Sequence, residues 1–197
     1  MKLYGSYTSP FVRRVRVVAG EIGVDHELIN TATDEGQATL RKLSPIWKVP
    51  VAEIAGRLIY DSRVIIDWLT TCHGWGPLRP PSDRWREANL VNAIDATAES
   101  GILLFYLKRD GLDASKLPFG QRQIDRITAI FEWLARELGK DGFGSGLGLS
   151  ELSLLATLEW MEFRDIYPVS RHEAGFASLR AEYSERPSLI ATRPFAP

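Results

Sequence analysis

Hydrophobic and polar positions change their rhythm along the chain. Leu3 to Gly5 has the short apolar run of a strand, and from Pro10 to Ile22 the period becomes helical, with Phe11, Val15, Val18, Ala19 and Ile22 on one stripe. His26 to Ile29 reads as a second strand and Gln37 to Leu43 as the centre of a second helix. Val51 to Ile54 and Leu58 to Tyr60 are strands on either side of Ala55-Gly56-Arg57, a short hairpin turn. Asp61 then opens a third helix with Val64, Ile65, Trp68 and Leu69 inward. The order is βαβα-ββα.

The tract His73-Gly74-Trp75-Gly76-Pro77-Leu78-Arg79-Pro80-Pro81-Ser82 can sustain neither helix nor strand. Beyond it only helices are predicted: Arg84 to Lys108, Phe119 to Leu138, Glu151 to Phe163 and Glu173 to Tyr183. The expected organisation is an α/β domain over residues 1–73, a linker over 74–82 and an all-helical domain over 83–197.

Composition narrows the function classes. Lys and Arg number 24 against 25 Asp and Glu, so the net charge of −1 lacks the footprint of a general nucleic-acid or anionic-membrane binder. Cys72 is the one cysteine, which excludes an intrachain disulfide and a multi-cysteine metal site. His26, His73 and His172 lack metal-ligand spacing, so no metal is expected. The start Met1-Lys2-Leu3-Tyr4-Gly5 shows no signal pattern, and no apolar run approaches a bilayer span. A soluble, cytoplasmic protein is the expectation.

Three short motifs could carry chemistry. In Thr8-Ser9-Pro10-Phe11, Ser9 is an N-cap and Pro10 fits the first helical position; the same geometry offers a thiolate or other anion the helix N-terminus and a hydroxyl. In Lys48-Val49-Pro50-Val51, a trans proline would simply start a strand, whereas a cis bond would turn the Val49 main chain toward an extended peptide. In Tyr60-Asp61-Ser62-Arg63, Asp61 is either only a cap or, with Ser62, the holder of an ammonium and a carboxylate.

Taken together, the βαβα-ββα order, Ser9-Pro10-Phe11, Lys48-Val49-Pro50 and Asp61-Ser62 resemble the glutathione S-transferases over essentially the whole chain. Lys2 to Arg13 is similar to the N-terminus of a group of small bacterial members of the serine type. The resemblance implies a thioredoxin-like glutathione-binding domain followed by a helical one, and a detoxifying transferase of alkyl or aryl groups that works as a homodimer. It places Ser9 opposite the glutathione sulfur and makes Pro50 cis. Val49 would pair with the cysteinyl unit, Lys48 would adjoin it, and Asp61 and Ser62 would hold the γ-glutamyl end. Phe11 would contact the tripeptide or wall the pocket. Asp95 of the long fourth helix would reach the partner subunit's glutathione, with Glu99 one turn further on. The implied co-substrate is glutathione and the second substrate a small, apolar electrophile. Members of this fold also include glutathione-dependent lyases and isomerases, and non-catalytic stress or regulatory adaptors.

Ser9 cannot form the mixed disulfide available to members with cysteine there, so the nucleophile would be glutathione itself. Cys72 is expected to be a packed, inert thiol. The chain departs from the family pattern in four places. Trp47 and Ser44 replace a glycine and an asparagine before Lys48, and tryptophan disfavours a positive φ. Ser153 leaves the capping box from Ser150 incomplete. No residue matches the basic anchor for the glycyl carboxylate. The short ending Arg193-Pro194-Phe195-Ala196-Pro197 would leave one side of the electrophile pocket open. Arg13, Arg14 and Arg16 read as a solvated helix face, Gly144 to Gly148 lacks dinucleotide spacing, and Trp133, Trp160 and Phe163 read as packing of the helical domain, Trp160 also as a border of the second pocket.

Overall fold

A computed structural model describes residues 1–139 and 142–195. β1 (Lys2–Gly5), β2 (Glu27–Asn30), β3 (Val51–Ile54) and β4 (Arg57–Tyr60) form one sheet in the order β2-β1-β3-β4. β1 pairs with β2 in parallel and with β3 antiparallel, and β4 closes the hairpin. The interleaved helices are α1 (Pro10–Glu21), α2 (Asp34–Leu43) and α3 (Ser62–His73). Tyr4 and Val51 pack with Leu40 on one face of the sheet, with Ile29, Leu43 and Val49 around them. The two-residue period sends Leu3 and Ala52, both fully buried, to the other face. Gly5 is required there: a Cβ at that position would collide with the Val12 side chain of α1.

The chain divides into two compact units. The first joins Met1–Leu78 with the segment that begins at Glu185, and the second is Arg79–Ser184. The C-terminal segment therefore belongs with the α/β unit rather than with the helical one. Its short helix α8 (Pro187–Ile190) packs on α1. Arg186 pairs with Glu21 at 2.6 Å, and Ser188 also hydrogen-bonds that carboxylate. Arg13 donates to the Leu189 carbonyl at 3.1 Å and to Thr192 at 3.3 Å.

This packing corrects the reading of α1. Arg13 and Arg14 are each only 2 % exposed, and Arg16 is half-buried. The tail and α3 cover the side of α1 on which a solvated face was expected. On α3 the inward residues are Ile65, Ile66 and Leu69, while Val64 is exposed. Cys72 lies exposed in the last turn of that helix and is not packed.

The second unit is built on α4 (Arg84–Arg109), α5 (Pro118–Glu137), α6 (Leu149–Arg164) and α7 (Glu173–Tyr183), with 3-10 turns at Ala114–Lys116 and Val169–His172. α4 is long and apolar enough to span a bilayer by length and composition. It nevertheless packs as a core helix, burying Leu90, Val91, Ile94, Ala98 and Leu104 in contact with α5 and α6. Trp160 is buried in this unit and packs beside Gly101, whereas Trp133 is half-buried and Phe163 exposed.

A buried charge cluster stands where the capping box was expected to be incomplete. The helix cap is Gly148, not Ser150, so the acid three residues on is Glu151. Its carboxylate accepts from Gly148 N at 3.0 Å, Phe143 N at 2.9 Å and Arg79 Nη2 at 2.7 Å. Burial works against the charge on Arg79, but the Glu151 and Glu87 carboxylates outweigh it and hold the guanidinium's pKa above its ordinary value. The Gly-rich loop is part of this cluster, since Gly146 O accepts from Arg79.

Candidate functional site

Strand register gathers the three motifs. Tyr4 pairs with Val51, and Val51 with Tyr60, so the three residues form one row across β1, β3 and β4. The chain leaves this row after β1 toward Ser9, enters it from Val49-Pro50, and leaves it after β4 toward Asp61. All three connections therefore lie at one end of the sheet, the end at which the parallel pair β1 and β2 terminates. Ligands of α/β sheets bind in that position.

Two helix N-termini open there. Ser9 is the N-cap of α1: its Oγ accepts from Val12 N at 3.3 Å, and Pro10 takes the first helical position. A serine hydroxyl has one proton to donate, and acceptance in the cap leaves that proton for another partner. Asp61 is the N-cap of α3, with its Oδ1 accepting from Arg63 N at 2.8 Å. Asp61 has φ 71° and ψ 130°, a strained conformation for a residue with a side chain. Such conformations cluster at binding sites.

Ser62 is 2 % exposed, and its hydroxyl accepts from Arg14 Nε at 3.0 Å and Nη2 at 2.7 Å. The Phe11 ring lies over the same guanidinium, 5.0 Å from its centre. Arg14 is the residue that sequence reasoning missed. The helical period did carry a signal, because Arg14 falls one turn from Pro10 and from Val17 and Val18, all of them buried.

The bond between Val49 and Pro50 is cis. In the preceding loop Trp47 has φ 51°, so this tryptophan occupies the left-handed region that its residue type disfavours. The residue is 61 % exposed and its ring centre lies 5.2 Å from the Arg41 guanidinium, and Ser44 caps α2 and accepts from Ile46 N. Lys48 is exposed in this loop. Asp95 is half-buried on α4 in the second unit, and Glu99 is exposed. Tyr7 packs against Phe195 with ring centroids 4.7 Å apart and planes tilted by 38°, so the C-terminal segment reaches the loop that carries Ser9. Among the described residues, no group of three or more His, Cys, Asp or Glu side chains could hold a metal ion.

The profile of the glutathione S-transferase N-terminal domain matches residues 3–77, and that of the C-terminal domain matches residues 109–186. The chain belongs to the glutathione S-transferase family. A probable maleylacetoacetate isomerase of Caenorhabditis elegans is 29% identical over 161 residues, covering 77% of this chain and 74% of the relative. A glutathione S-transferase of Methylobacterium radiotolerans, crystallised with glutathione sulfonate, superposes with a TM-score of 0.83 at 25% identity, covering 100% of this chain and 95% of that one. A family member from Pseudomonas fluorescens Pf-5 with bound glutathione has a TM-score of 0.78 at 28% identity, covering 99% of both chains. The thioredoxin-like sheet and the helical unit are those of the glutathione S-transferase fold.

Proposed function

We propose that this glutathione S-transferase family member binds glutathione at the C-terminal end of β1 and activates its thiol for attack on an electrophilic carbon. The observation that carries the reading is the shared row of Tyr4, Val51 and Tyr60, which brings Ser9, Val49-Pro50 and Asp61-Ser62 to one end of the sheet. In this reading Asp61 pairs with the γ-glutamyl ammonium, and the Ser62 hydroxyl and N–H donate to the neighbouring carboxylate at the helix N-terminus. The cysteinyl unit lies along the Val49 main chain as an added strand, with Pro50 beneath it and Lys48 and Phe11 at its margins. Asp95 completes the site of the partner subunit in a homodimer.

The sulfur then sits at the N-terminus of α1. The Ser9 hydroxyl and the helix dipole favour the thiolate over the thiol. The thiol proton leaves to solvent, the sulfur lone pair forms a bond to the electrophilic carbon, and the leaving group departs with its bonding pair. Where the electrophile is a conjugated double bond, the carbon takes the sulfur and its neighbour takes a proton. The protein contributes orientation and charge stabilisation, and no protein thiol takes part.

Similarity to the isomerase favours a second reading of the same site. There the thiolate adds to a conjugated double bond, the new single bond rotates, and the thiolate leaves, so glutathione is regenerated. Consumption of glutathione per turnover distinguishes the two. Isothermal titration of the wild type and of Ser62→Ala with glutathione tests the common premise. Saturable binding that weakens in the variant is expected, and absence of binding to the wild type refutes both readings.

A further inference from the structure

We propose that Arg14 is a positioning residue that makes Ser62 an obligate donor to the bound ligand's carboxylate. The inference rests on the glutathione-binding reading above and goes one layer beneath it. A serine hydroxyl can accept two hydrogen bonds and donate one. Arg14 Nε at 3.0 Å and Nη2 at 2.7 Å both donate to Ser62 Oγ, so both acceptor positions are filled. Donation is the only capacity left to that hydroxyl.

Among the described residues no hydrogen bond uses the Ser62 proton, although the residue is 2 % exposed. A buried O–H with its proton unspent is costly, and a ligand oxygen at the N-terminus of α3 would satisfy it. Arg14 suits the task better than lysine would. Its planar fork delivers two N–H groups to one oxygen and fixes the direction of the third bond. Donation from the cation also polarises the hydroxyl, so the proton it offers is more acidic than that of a free serine.

The fold encloses this arrangement. Arg14 is 2 % exposed on α1, between the Phe11 ring on one side and the first turn of α3 on the other. The helix that carries the thiol-side residue Ser9 thus also sets the proton of the carboxylate-side residue Ser62. The ligand class follows from the chemistry: a peptide-like molecule presenting a free α-carboxylate, as the γ-glutamyl end of glutathione does.

The test compares glutathione with its analogue lacking the γ-glutamyl α-carboxylate, 4-aminobutyryl-cysteinyl-glycine, by calorimetry on the full chain. Wild type should prefer glutathione. Arg14→Met should reduce that preference by roughly ten- to hundredfold, the range for loss of a charge-assisted hydrogen bond, while affinity for the analogue changes by less than about twofold. Ser62→Ala should remove the same preference, and Arg14→Met added to it should remove no more. Arg14→Lys, which keeps the buried charge and is the variant to rely on if Arg14→Met does not fold, should restore part of the preference. Equal weakening of both ligands in either Arg14 variant would make Arg14 a purely structural tie and overturn the inference. So would an unchanged preference. A wild type that binds no glutathione fails the functional reading instead.

Discussion

Replacing Ser9 by alanine separates the two uses of one hydroxyl. As a helix cap it accepts from Val12 N at 3.3 Å, a long bond, so its loss should cost about 0.5–1 kcal/mol, the lower part of the usual capping range. For a chain of this size that lowers the melting temperature by roughly 1–4 °C. As a donor to the sulfur, the hydroxyl should be worth about one pKa unit, or about 1.4 kcal/mol. The dipole of α1 survives the substitution, so the bound thiol should move toward its free value of about 8.5 without reaching it. Below that pKa the thiolate fraction falls about tenfold per unit, and the more basic thiolate recovers about threefold in intrinsic reactivity, a net loss of about threefold. Titration of the thiolate by ultraviolet absorbance in the glutathione complex reads the shift directly. The rate with an electrophilic aromatic substrate should show its rising limb displaced to higher pH by the same amount, with glutathione affinity nearly unchanged. An unshifted titration in a variant that still binds glutathione would refute the assignment of Ser9 as the thiolate's donor.

Two further predictions concern the helical unit. Glu151→Ala leaves Arg79 without its closest carboxylate and the N–H groups of Phe143 and Gly148 without their acceptor, all in a buried site. It should cost about 3–5 kcal/mol, and amide exchange across Phe143 to Leu158 should accelerate sharply; a cost below about 1 kcal/mol would show the cluster to be dispensable. His172 is held below its ordinary pKa of 6.5, chiefly by burial, with Arg171 also lowering it and Glu132 opposing. Its folded pKa is the lower one, so the unfolded chain takes the proton first; stability is full above pH 6.5 and declines as pH falls through the folded pKa. Denaturation across that window should show this decline in the wild type and not in His172→Gln, and identical pH profiles would refute it.

How much of this was legible in the sequence depends on the range of the interaction concerned. Strand and helix cores follow from local pattern, and β3 and α7 fall where it puts them: β3 as a short apolar run buried on both faces, α7 as a helical stripe. The motif residues Ser9, Val49-Pro50 and Asp61-Ser62 were legible for a related reason: each is a helix start or strand start, and such boundaries are written in residue types. Trp47 was misread because residue preference is statistical. The loop's path holds φ at 51°, a strain local to the residue's own Cβ and carbonyl, while the exposed indole lies against the Arg41 guanidinium. Arg13 and Arg14 were misread because charge was equated with solvent. Both have hydrogen-bond partners far away in sequence, Thr192 and Leu189 for one and Ser62 for the other.

The same contrast explains how the site can be recognisable while its supporting layer is not. The proposed ligand-facing groups of Ser9, Asp61 and Ser62 stand at helix starts, and there local rules select the residue type. A residue that orients that hydroxyl works from the interior, where selection acts through one partner brought in by the fold. Arg14 shows the consequence: its type marks it for the surface, its period marks it for the core, and two hydrogen bonds to Ser62 reconcile them. The C-terminal segment acts in the same way. Phe195 lies against Tyr7 in the loop that carries Ser9, and the segment's polar groups meet Arg13 and Glu21 on α1. The helix that presents Ser9 is thereby clamped along two sides, by α3 through Arg14 and by the tail through Arg13. In the proposed reading, a helix tied on both sides before glutathione binds keeps the Ser9 hydroxyl near the sulfur, and such preorganisation is what lets one neutral donor favour a thiolate.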